Sequence, residues 1–180
     1  MLVGFMGAGK SSVGRVLAGQ LGWSFEDLDQ RIERHRGKTI AEIFRNSGEA
    51  EFRRTEHEAL KELLQELSGG SEAVIALGGG AFIHESNARL IEALKIPTVF
   101  LDAGVDELWR RCTQEPAELG QERPLLTESQ DFRDLYEKRR PYYLRASLRH
   151  ETSGKAVAEI AAELIQALGL RRRGENRGEN

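Results

Sequence analysis

The stretch Gly4-Phe5-Met6-Gly7-Ala8-Gly9-Lys10-Ser11 contains the pattern G-x-x-x-x-G-K-S, with an apolar run before it and a helical pattern after it. Glycines let the backbone turn so that successive N–H groups point inward at an anion, and the positive end of the following helix strengthens that field. Lys10 is placed to reach the β- and γ-phosphates, and the Ser11 hydroxyl to ligate Mg²⁺. The stretch therefore predicts a nucleoside triphosphate site between a strand and a helix.

Short apolar runs alternate with helical patterns along the rest of the chain. Five runs have the composition of strands, and the first, third and fourth are apolar enough to be buried on both faces. They cover residues 1–5, 24–27, 73–77, 97–101 and 148–152. The helical patterns cover residues 10–21, 49–67, 86–94, 106–113, 130–146 and 156–168. Strands that alternate with helices predict an α/β fold with a parallel sheet covered on both sides.

Composition limits the classes of protein that the chain can belong to. Its 180 residues fit one domain, and a single cysteine, Cys112, excludes an intrachain disulfide and favours a reducing compartment such as the cytoplasm. The net charge of −3 argues against a general nucleic-acid binder, and no run approaches the ~20 apolar residues that span a membrane. Of the 26 basic residues 20 are arginine, which suits two-pronged contacts to phosphate and carboxylate, although codon bias is the simpler explanation of such an excess.

The two ends of the chain differ from the rest. The last ten residues, RRRGENRGEN, are charged or small and polar, and they contain no apolar side chain. We therefore expect one domain over residues 1–168 and a disordered tail over 169–180. Ser153 is predicted to cap the last helix and Gly169 to end it. The first strand begins at once, whereas a central strand is expected to have a few more residues before Leu2.

A triphosphate site alone does not separate kinases, GTPases and motor ATPases. The Asn-Lys-x-Asp signal of most GTPases is absent from the sequence, and no predicted buried strand ends in an Asp that could support Mg²⁺. Asp27 and Asp29 follow the second strand and are predicted to point the same way in extended backbone. One could then orient water on Mg²⁺ while the other accepts a substrate hydroxyl. Taken alone, this pair is more typical of a solvated turn.

Two further segments are candidates for the acceptor side. The sequence Gly48-Glu-Ala-Glu-Phe-Arg53-Arg54 opens a helix, and adjacent arginines cannot share a helix face, so at most one of them points at a given ligand. Gly78, Gly79 and Gly80 follow a buried strand, which suits a place where backbone approaches a ligand closely.

Six motifs in this order make the chain resemble the shikimate kinases over about residues 1–168: GFMGAGKSSVGR, FEDLDQRIE, GEAEFRR, LGGGA, RPLL and RRPYY. The resemblance implies a three-layer P-loop kinase fold with a five-stranded parallel sheet in the order 2-3-1-4-5. It also implies a small helical substrate-binding region and a lid at about residues 113–128. The implied activity is Mg²⁺-dependent transfer of the ATP γ-phosphate to the 3-hydroxyl of shikimate, on the route to chorismate and the aromatic amino acids, by a cytoplasmic monomer.

The same resemblance implies a role for each matching residue. Asp29 would bind the shikimate hydroxyls and accept the proton, while Arg53 and Arg139 would hold the carboxylate and Gly79 would contact the substrate through its backbone. Ser11 would ligate Mg²⁺, with Asp27 supporting the ion through water. Arg123, in the lid, would close over the phosphates and act in catalysis with Lys10 and Asp29. The ATP phosphates would be held by Gly7, Ala8, Gly9, Lys10, Ser11, Ser12 and Arg123.

Two alternatives remain at this point. A P-loop kinase for another small polyol acid, gluconate-like, or for a nucleotide is disfavoured because Asp29, Arg53, Gly79 and Arg139 all match in register. A catalytically silent nucleotide-binding module is disfavoured because Lys10, Asp29 and the two arginines are retained. We expect ATP and a small anionic substrate as binding partners, with no nucleic acid and no membrane.

Overall fold

The computed structural model describes residues 1–114 and 129–172. Within these residues five strands form one parallel sheet in the order β2-β3-β1-β4-β5. The predicted α/β class and strand order are confirmed. The strands are β1 (Leu2–Val3), β2 (Ser24–Asp27), β3 (Ala73–Ala76), β4 (Val99–Asp102) and β5 (Leu148–Glu151).

Helices connect the strands and cover the sheet. The chain leaves β1 outward to β2 and returns to β3, so right-handed connections place α1 on one face and α3 on the other. The apolar side chains of β1, β3 and β4 are buried accordingly. The described helices are α1 (Lys10–Leu21), α2 (Leu28–Arg36), α3 (Ile40–Leu67), α4 (Glu85–Ala93), α5 (Val105–Gln114), α6 (Ser129–Tyr143) and α7 (Val157–Leu168).

The central strand β1 is shorter than the predicted 1–5. It ends at Val3 because the next two carbonyl groups, of Gly4 and Phe5, turn away and accept hydrogen bonds from Lys10 Nζ at 2.9 and 3.0 Å. Leu2 pairs with Ala76 on one side and with Val99 on the other. The phosphate loop therefore starts from the middle of the sheet.

Strand β4 runs one residue further than predicted and ends in an aspartate. The side chain of this residue, Asp102, is 3% exposed. This carboxylate is bonded to Arg140 and Arg149 rather than directed at the phosphate loop.

Helix α2 and the first half of α3 were not predicted. Asp27 caps α2 by accepting hydrogen bonds from the backbone N–H groups of Asp29 and Gln30. Helix α3 begins after a capping box formed by Thr39 and Glu42. Gly48, with φ 77° and ψ 173°, interrupts α3, and the predicted helix from residue 49 corresponds to its second half.

The last helices end differently from the predictions. Helix α6 ends at Tyr143 rather than at residue 146. Ser153 does not cap α7, whose N-cap is Ala156. Instead Ser153 Oγ accepts a hydrogen bond from Gly104 N and donates one to Glu151. Gly169 does end α7, in the left-handed conformation with φ 60°, as predicted.

Two predictions on chain organisation fall largely outside the described residues. The lid at about 113–128 and the tail at 169–180 stay predictions, because residues 115–128 and 173–180 are not among those described. None of the helices in residues 1–114 and 129–172 is both long and apolar enough to span a membrane.

Candidate active site

The phosphate loop turns at glycines and lies against helix α5. Gly7 and Gly9 both have φ of +78°, a conformation that side chains other than glycine rarely adopt. A Cβ at Gly7 would lie 2.8 Å from both the Leu108 carbonyl oxygen and Cys112 Sγ. Glycine is therefore required at Gly7 by conformation and by contact with α5.

Lys10 joins the end of the phosphate loop to its beginning. Its ammonium group donates to the carbonyl oxygens of Gly4 and Phe5, so the side chain folds back over the turn. Gly9 is the N-cap of α1, and the first N–H groups of a helix have no partner within it. The loop thus combines a fixed cation with a helix N-terminus, which is the arrangement that binds a polyphosphate.

Ser11 and Asp27 form the candidate magnesium site. The Ser11 hydroxyl donates to Asp27 Oδ2 at 2.5 Å, and Asp27 is 8% exposed. Hydroxyl and carboxylate oxygens are ligands that Mg²⁺ prefers, and this ion usually keeps several waters when it binds a protein. In the described part of the chain, no group of three or more His, Cys, Asp or Glu side chains is placed to hold a metal. The pair fits a partly hydrated Mg²⁺ that also binds phosphate.

Asp27 lies in extended backbone but Asp29 is helical, so the prediction that the pair shares extended backbone is wrong. Asp27 ends β2 and caps α2, and Asp29 lies in the first turn of that helix. The Asp27 Oδ1 atom accepts the backbone N–H of Asp29 at 3.1 Å. The cap holds the two carboxylates in fixed positions with different neighbours, Ser11 for one and the glycine segment for the other.

Asp29 lies against the backbone of Gly78. A Cβ at Gly78 would come within 2.4 Å of Asp29 Oδ1, so only glycine leaves room for this carboxylate. Burial, with the Asp27 and Glu56 carboxylates nearby, raises the pKa of Asp29 to about 7, while Lys10 opposes the shift. The carboxylate thus borders the glycine segment and interacts electrostatically with the lysine of the phosphate loop.

Arg53 lies at the other end of the glycine segment, at Gly80. A Cβ at Gly80 would lie 2.5 Å from Arg53 Nη1, and the same nitrogen donates to both oxygens of Glu56 at 3.1 and 3.0 Å. Glu56 is 1% exposed; burial raises its pKa, and Arg53 opposes that shift. The guanidinium carbon of Arg53 is 5.0 Å from the Phe52 ring centroid. Arg53 is thus oriented by a buried carboxylate and an aromatic face.

Arg139 approaches the middle of the segment from α6. A Cβ at Gly79 would lie 3.9 Å from Arg139 Nη1, and the Arg139 guanidinium carbon is 5.9 Å from the Phe5 ring centroid. Tyr143, four residues further along α6, donates its hydroxyl hydrogen to the Gly79 carbonyl oxygen. Burial raises the pKa of Tyr143 above its ordinary value, so the hydroxyl keeps this proton.

The three glycines therefore contact Asp29, Arg139 and Arg53 in turn. Three consecutive residues span at most about 7 Å between the first and last Cα atoms. The Asp29 carboxylate, which can accept hydrogen bonds, lies at one end of the glycine segment. The guanidinium groups of Arg139 and Arg53 lie at its middle and at its other end. The arrangement fits a small molecule with hydroxyl groups at one side and an anionic group at the other.

Of the remaining predicted site residues, Ala8 and Ser12 are among the described residues and Arg123 is not. Ala8 is buried in the phosphate loop and Ser12 is half-buried in the first turn of α1, where the prediction put them. Arg123, predicted to close over the phosphates, lies outside the described residues.

Three residues of the site were missed from the sequence. Glu56 lies one helical turn after Arg53, and Tyr143 one turn after Arg139, so helical spacing could have indicated both. Arg111, on α5, donates to the Gly7 carbonyl at 3.4 Å and to the Thr152 carbonyl at 3.4 Å. No sequence signal could have identified that contact, because it joins segments 104 and 41 residues away.

Comparison with known proteins covers nearly the whole chain. A family model for shikimate kinase matches residues 6–169. The shikimate kinase of Persephonella marina is 37% identical over 165 residues, which are 91% of this chain and 94% of that protein. That of Cereibacter sphaeroides is 40% identical over 174 residues, 95% of this chain and 82% of the relative.

A solved structure gives the same result at the level of the fold. Shikimate kinase from Acinetobacter baumannii in complex with shikimate matches with a TM-score of 0.82 and 35% identity, over 99% of this chain and 93% of that one. Because these similarities include the acceptor segments as well as the phosphate loop, they confirm the resemblance found in the motifs. The chain belongs to the shikimate kinase family.

Proposed function

We propose that this chain transfers the γ-phosphate of ATP to the 3-hydroxyl of shikimate, giving shikimate 3-phosphate and ADP on the route to chorismate and the aromatic amino acids. The observation that carries the proposal is the convergence of Asp29, Arg139 and Arg53 on three consecutive glycines beside Lys10. Membership of the shikimate kinase family and the shikimate complex of the Acinetobacter baumannii enzyme support it.

Arg53 and Arg139 bind the shikimate carboxylate in this proposal. A planar guanidinium can donate two parallel hydrogen bonds to a carboxylate, which fixes the orientation of the acid as well as attracting it. Glu56 keeps Arg53 in place but is already shared between the two arginines, since it also interacts electrostatically with Arg139. Arg53 also pairs with the exposed Glu49 at 3.3 Å, so the substrate carboxylate would take the place of a solvent-exposed partner while the buried Glu56 keeps the guanidinium in position.

Asp29 accepts the proton at the other end of the substrate. The 3-hydroxyl oxygen attacks the γ-phosphorus, its proton passes to the Asp29 carboxylate, and the bond from the γ-phosphorus to the bridging oxygen breaks to release ADP. Lys10 stabilises the negative charge on the phosphates. Because phosphoryl transfer needs no covalent bond to the protein, these residues act by positioning and by charge. Mg²⁺, held by Ser11 and by Asp27 through water, would neutralise phosphate charge when bound.

We also propose that the protein works as a monomer in the cytoplasm. Among the described residues the large hydrophobic side chains that are exposed are Leu94, Tyr142 and Leu144, which make only a small apolar surface. The single cysteine is compatible with a reducing compartment. Sedimentation analysis across a range of protein concentrations tests the oligomeric state, and a dimer at low concentration would contradict it.

A coupled assay of ADP release tests the proposed activity. We expect turnover that depends on shikimate and on Mg²⁺, with gluconate and AMP giving the same background as no acceptor. Gluconate has a carboxylate and hydroxyls but no ring, so this arm also tests the nearest alternative substrate class. ATP binding without shikimate-dependent turnover would overturn the proposal.

A further inference from the structure

A buried carboxylate with several polar partners lies beside the active site and has no role in the mechanism above. Asp102 is the last residue of β4. Its Oδ2 atom accepts hydrogen bonds from Arg140 Nη2 at 3.1 Å and from Arg149 Nε at 2.7 Å, and its Oδ1 atom accepts the Tyr136 hydroxyl at 3.1 Å. Arg140 Nε in turn donates to the Tyr136 oxygen at 3.1 Å. Asp102, Tyr136 and Arg140 therefore form a closed ring of hydrogen bonds.

Two members of this ring belong to α6, the helix that carries Arg139. Tyr136 and Arg140 are four residues apart and so lie on one face of α6. The face is fixed to β4 by a carboxylate that is 3% exposed and hence little screened by solvent. The bonds from Asp102 therefore fix the rotation of α6 about its own axis.

The rotation of α6 sets where the Arg139 guanidinium lies. The Tyr136 ring packs edge-on against Phe5 with centroids 5.5 Å apart, and the Arg139 guanidinium carbon is 5.9 Å from the same ring. A guanidinium about 8 Å from a helix axis moves by roughly 2 Å when the helix turns by about 15°. Displacements of about 1 Å at a binding group can reduce kcat/KM by up to about 100-fold, and for a group that binds the substrate the loss appears mainly in KM.

The backbone of Asp102, rather than its side chain, connects β4 to the phosphate loop. The Asp102 carbonyl oxygen accepts hydrogen bonds from Thr152 N at 2.8 Å and from Thr152 Oγ1 at 3.0 Å. The Thr152 carbonyl oxygen in turn accepts from Arg111, which also contacts Gly7 of the phosphate loop. A change of the Asp102 side chain leaves these backbone contacts in place, so the acceptor side and the nucleotide side can be separated by experiment.

We propose that Asp102 is a positioning residue for the acceptor site, which fixes α6 through Tyr136 and Arg140 and thereby places Arg139 against the shikimate carboxylate. This inference rests on the proposed function, because it assigns a purpose to the position of Arg139. Asp102 itself touches neither substrate.

Steady-state kinetics of Asp102→Asn and Tyr136→Phe test the proposal. We expect the KM for shikimate to rise about 10-fold in Asp102→Asn and about 3-fold in Tyr136→Phe, with the KM for ATP and kcat changed less than about 2-fold. Tyr136→Phe removes only a hydroxyl, so it keeps the test available should Asp102→Asn fail to fold. An equal rise in both KM values, or no rise in the KM for shikimate, would overturn the proposal.

Arg149→Gln is the matched control. Arg149 donates to the same Asp102 oxygen as Arg140, but it lies on β5 and does not hold α6. We expect this variant to lower thermal stability without changing the KM for shikimate. If Arg149→Gln raises that KM as much as Asp102→Asn does, the effect is general loosening and the proposal is wrong.

A double-mutant cycle with Arg139→Lys and a crystal structure complete the test. If Asp102 acts through Arg139, Asp102→Asn should raise the KM for shikimate much less in the Arg139→Lys background than in the wild type. In the structure of Asp102→Asn we expect the Arg139 guanidinium to move by more than about 1 Å from Gly79. If Arg139 does not move in that structure, the positioning role is overturned. If the wild-type protein shows no shikimate turnover, the proposed function is overturned instead, and the position of Arg139 in the two structures still tests the role of Asp102.

Discussion

Arg53 and Arg54 are neighbours in α3, yet their guanidinium groups lie in opposite environments. The Arg53 side chain is 16% exposed and bonded to the buried Glu56, whereas the Arg54 side chain is 57% exposed and paired with Glu51 and Glu58 on the surface. The two residues are the same in type and adjacent in sequence. They therefore provide a matched pair for separating a binding role from a surface charge.

Arg53→Lys should raise the KM for shikimate about 10- to 100-fold, because an ammonium cannot reproduce the two-pronged contact to a carboxylate. Arg54→Lys should leave it within about 2-fold, since exposed ion pairs contribute little. The measurement is the coupled ADP assay with saturating ATP. Equal effects of the two substitutions would show that Arg53 does not bind the substrate.

Gly79→Ala should leave folding intact and impair shikimate binding. A Cβ at Gly79 has no neighbour closer than the 3.8 Å to Met6 N, so the protein itself tolerates alanine there. The methyl group would instead occupy space beside the glycine segment, where the proposed function places shikimate. We therefore expect the KM for shikimate to rise at least about 10-fold. Gly69→Ala, where a Cβ meets nothing within 4 Å, is the control. A normal KM in Gly79→Ala would place the substrate elsewhere.

Ser11→Ala should weaken the response to Mg²⁺. Removing the hydroxyl takes away one oxygen ligand and the bond that holds Asp27, so we expect the half-saturating Mg²⁺ concentration to rise about 10-fold or more. Titration of activity with MgCl₂ after chelation by EDTA measures it. Ser68→Ala, which removes only a hydroxyl bonded to the Gln65 carbonyl at the end of α3, should titrate like the wild type. An unchanged curve for Ser11→Ala would exclude it as a ligand.

His84 should make the fold less stable as the pH falls below about 6.5. Burial lowers the pKa of His84 below the ordinary 6.5, and Arg53 and Arg139 lower it further, while Glu49 opposes them. Between the lowered pKa and 6.5 the unfolded chain binds more protons than the folded one, so stability falls as the pH decreases through that window.

Urea unfolding at pH 7.5 and 5.5 measures this effect. The raised pKa of Asp29 acts in the opposite direction over this pH range, but it is common to both proteins. Relative to the wild type, His84→Asn should therefore be more stable at pH 5.5 than at pH 7.5. His35→Asn, at an exposed position on α2, should keep the wild-type difference. If His84→Asn also keeps it, the pKa of His84 is not lowered in the folded protein.

The resemblance carried by the motifs predicted the strand order, whereas the helices between the strands were predicted less closely. The residues proposed to bind ligands belong to short motifs whose residue types suit those ligands: the phosphate loop, Asp27, Asp29, Arg53, Gly79 and Arg139. Helix α2 was missed because its nine residues contain only two apolar side chains, Leu28 and Ile32, which is too few for a helical period to be visible. Its signals were the caps at both ends, Asp27 and Gly37.

The error in the Asp27–Asp29 geometry has the same origin. Without α2, the pair was placed in extended backbone, where side chains two apart point the same way. The cap instead gives Asp27 to Ser11 and Asp29 to Gly78. Contacts such as Arg111 with Gly7, or Asp102 with Tyr136, join residues far apart in the chain, so only the three-dimensional fold determines them.

The parallel sheet gives the molecule two unlike ends. The phosphate loop, the turn at Asp27 and the three glycines follow the carboxyl ends of β1, β2 and β3. The turn at Gly69 and Gly70 instead enters β3 at its amino end and has open space around both glycines. A fluorophore, an affinity tag or a surface tether attached at that turn would be separated from the chemistry by the full length of the strands. Immobilising the protein at the amino end of the sheet should therefore leave the opposite end accessible to its substrates.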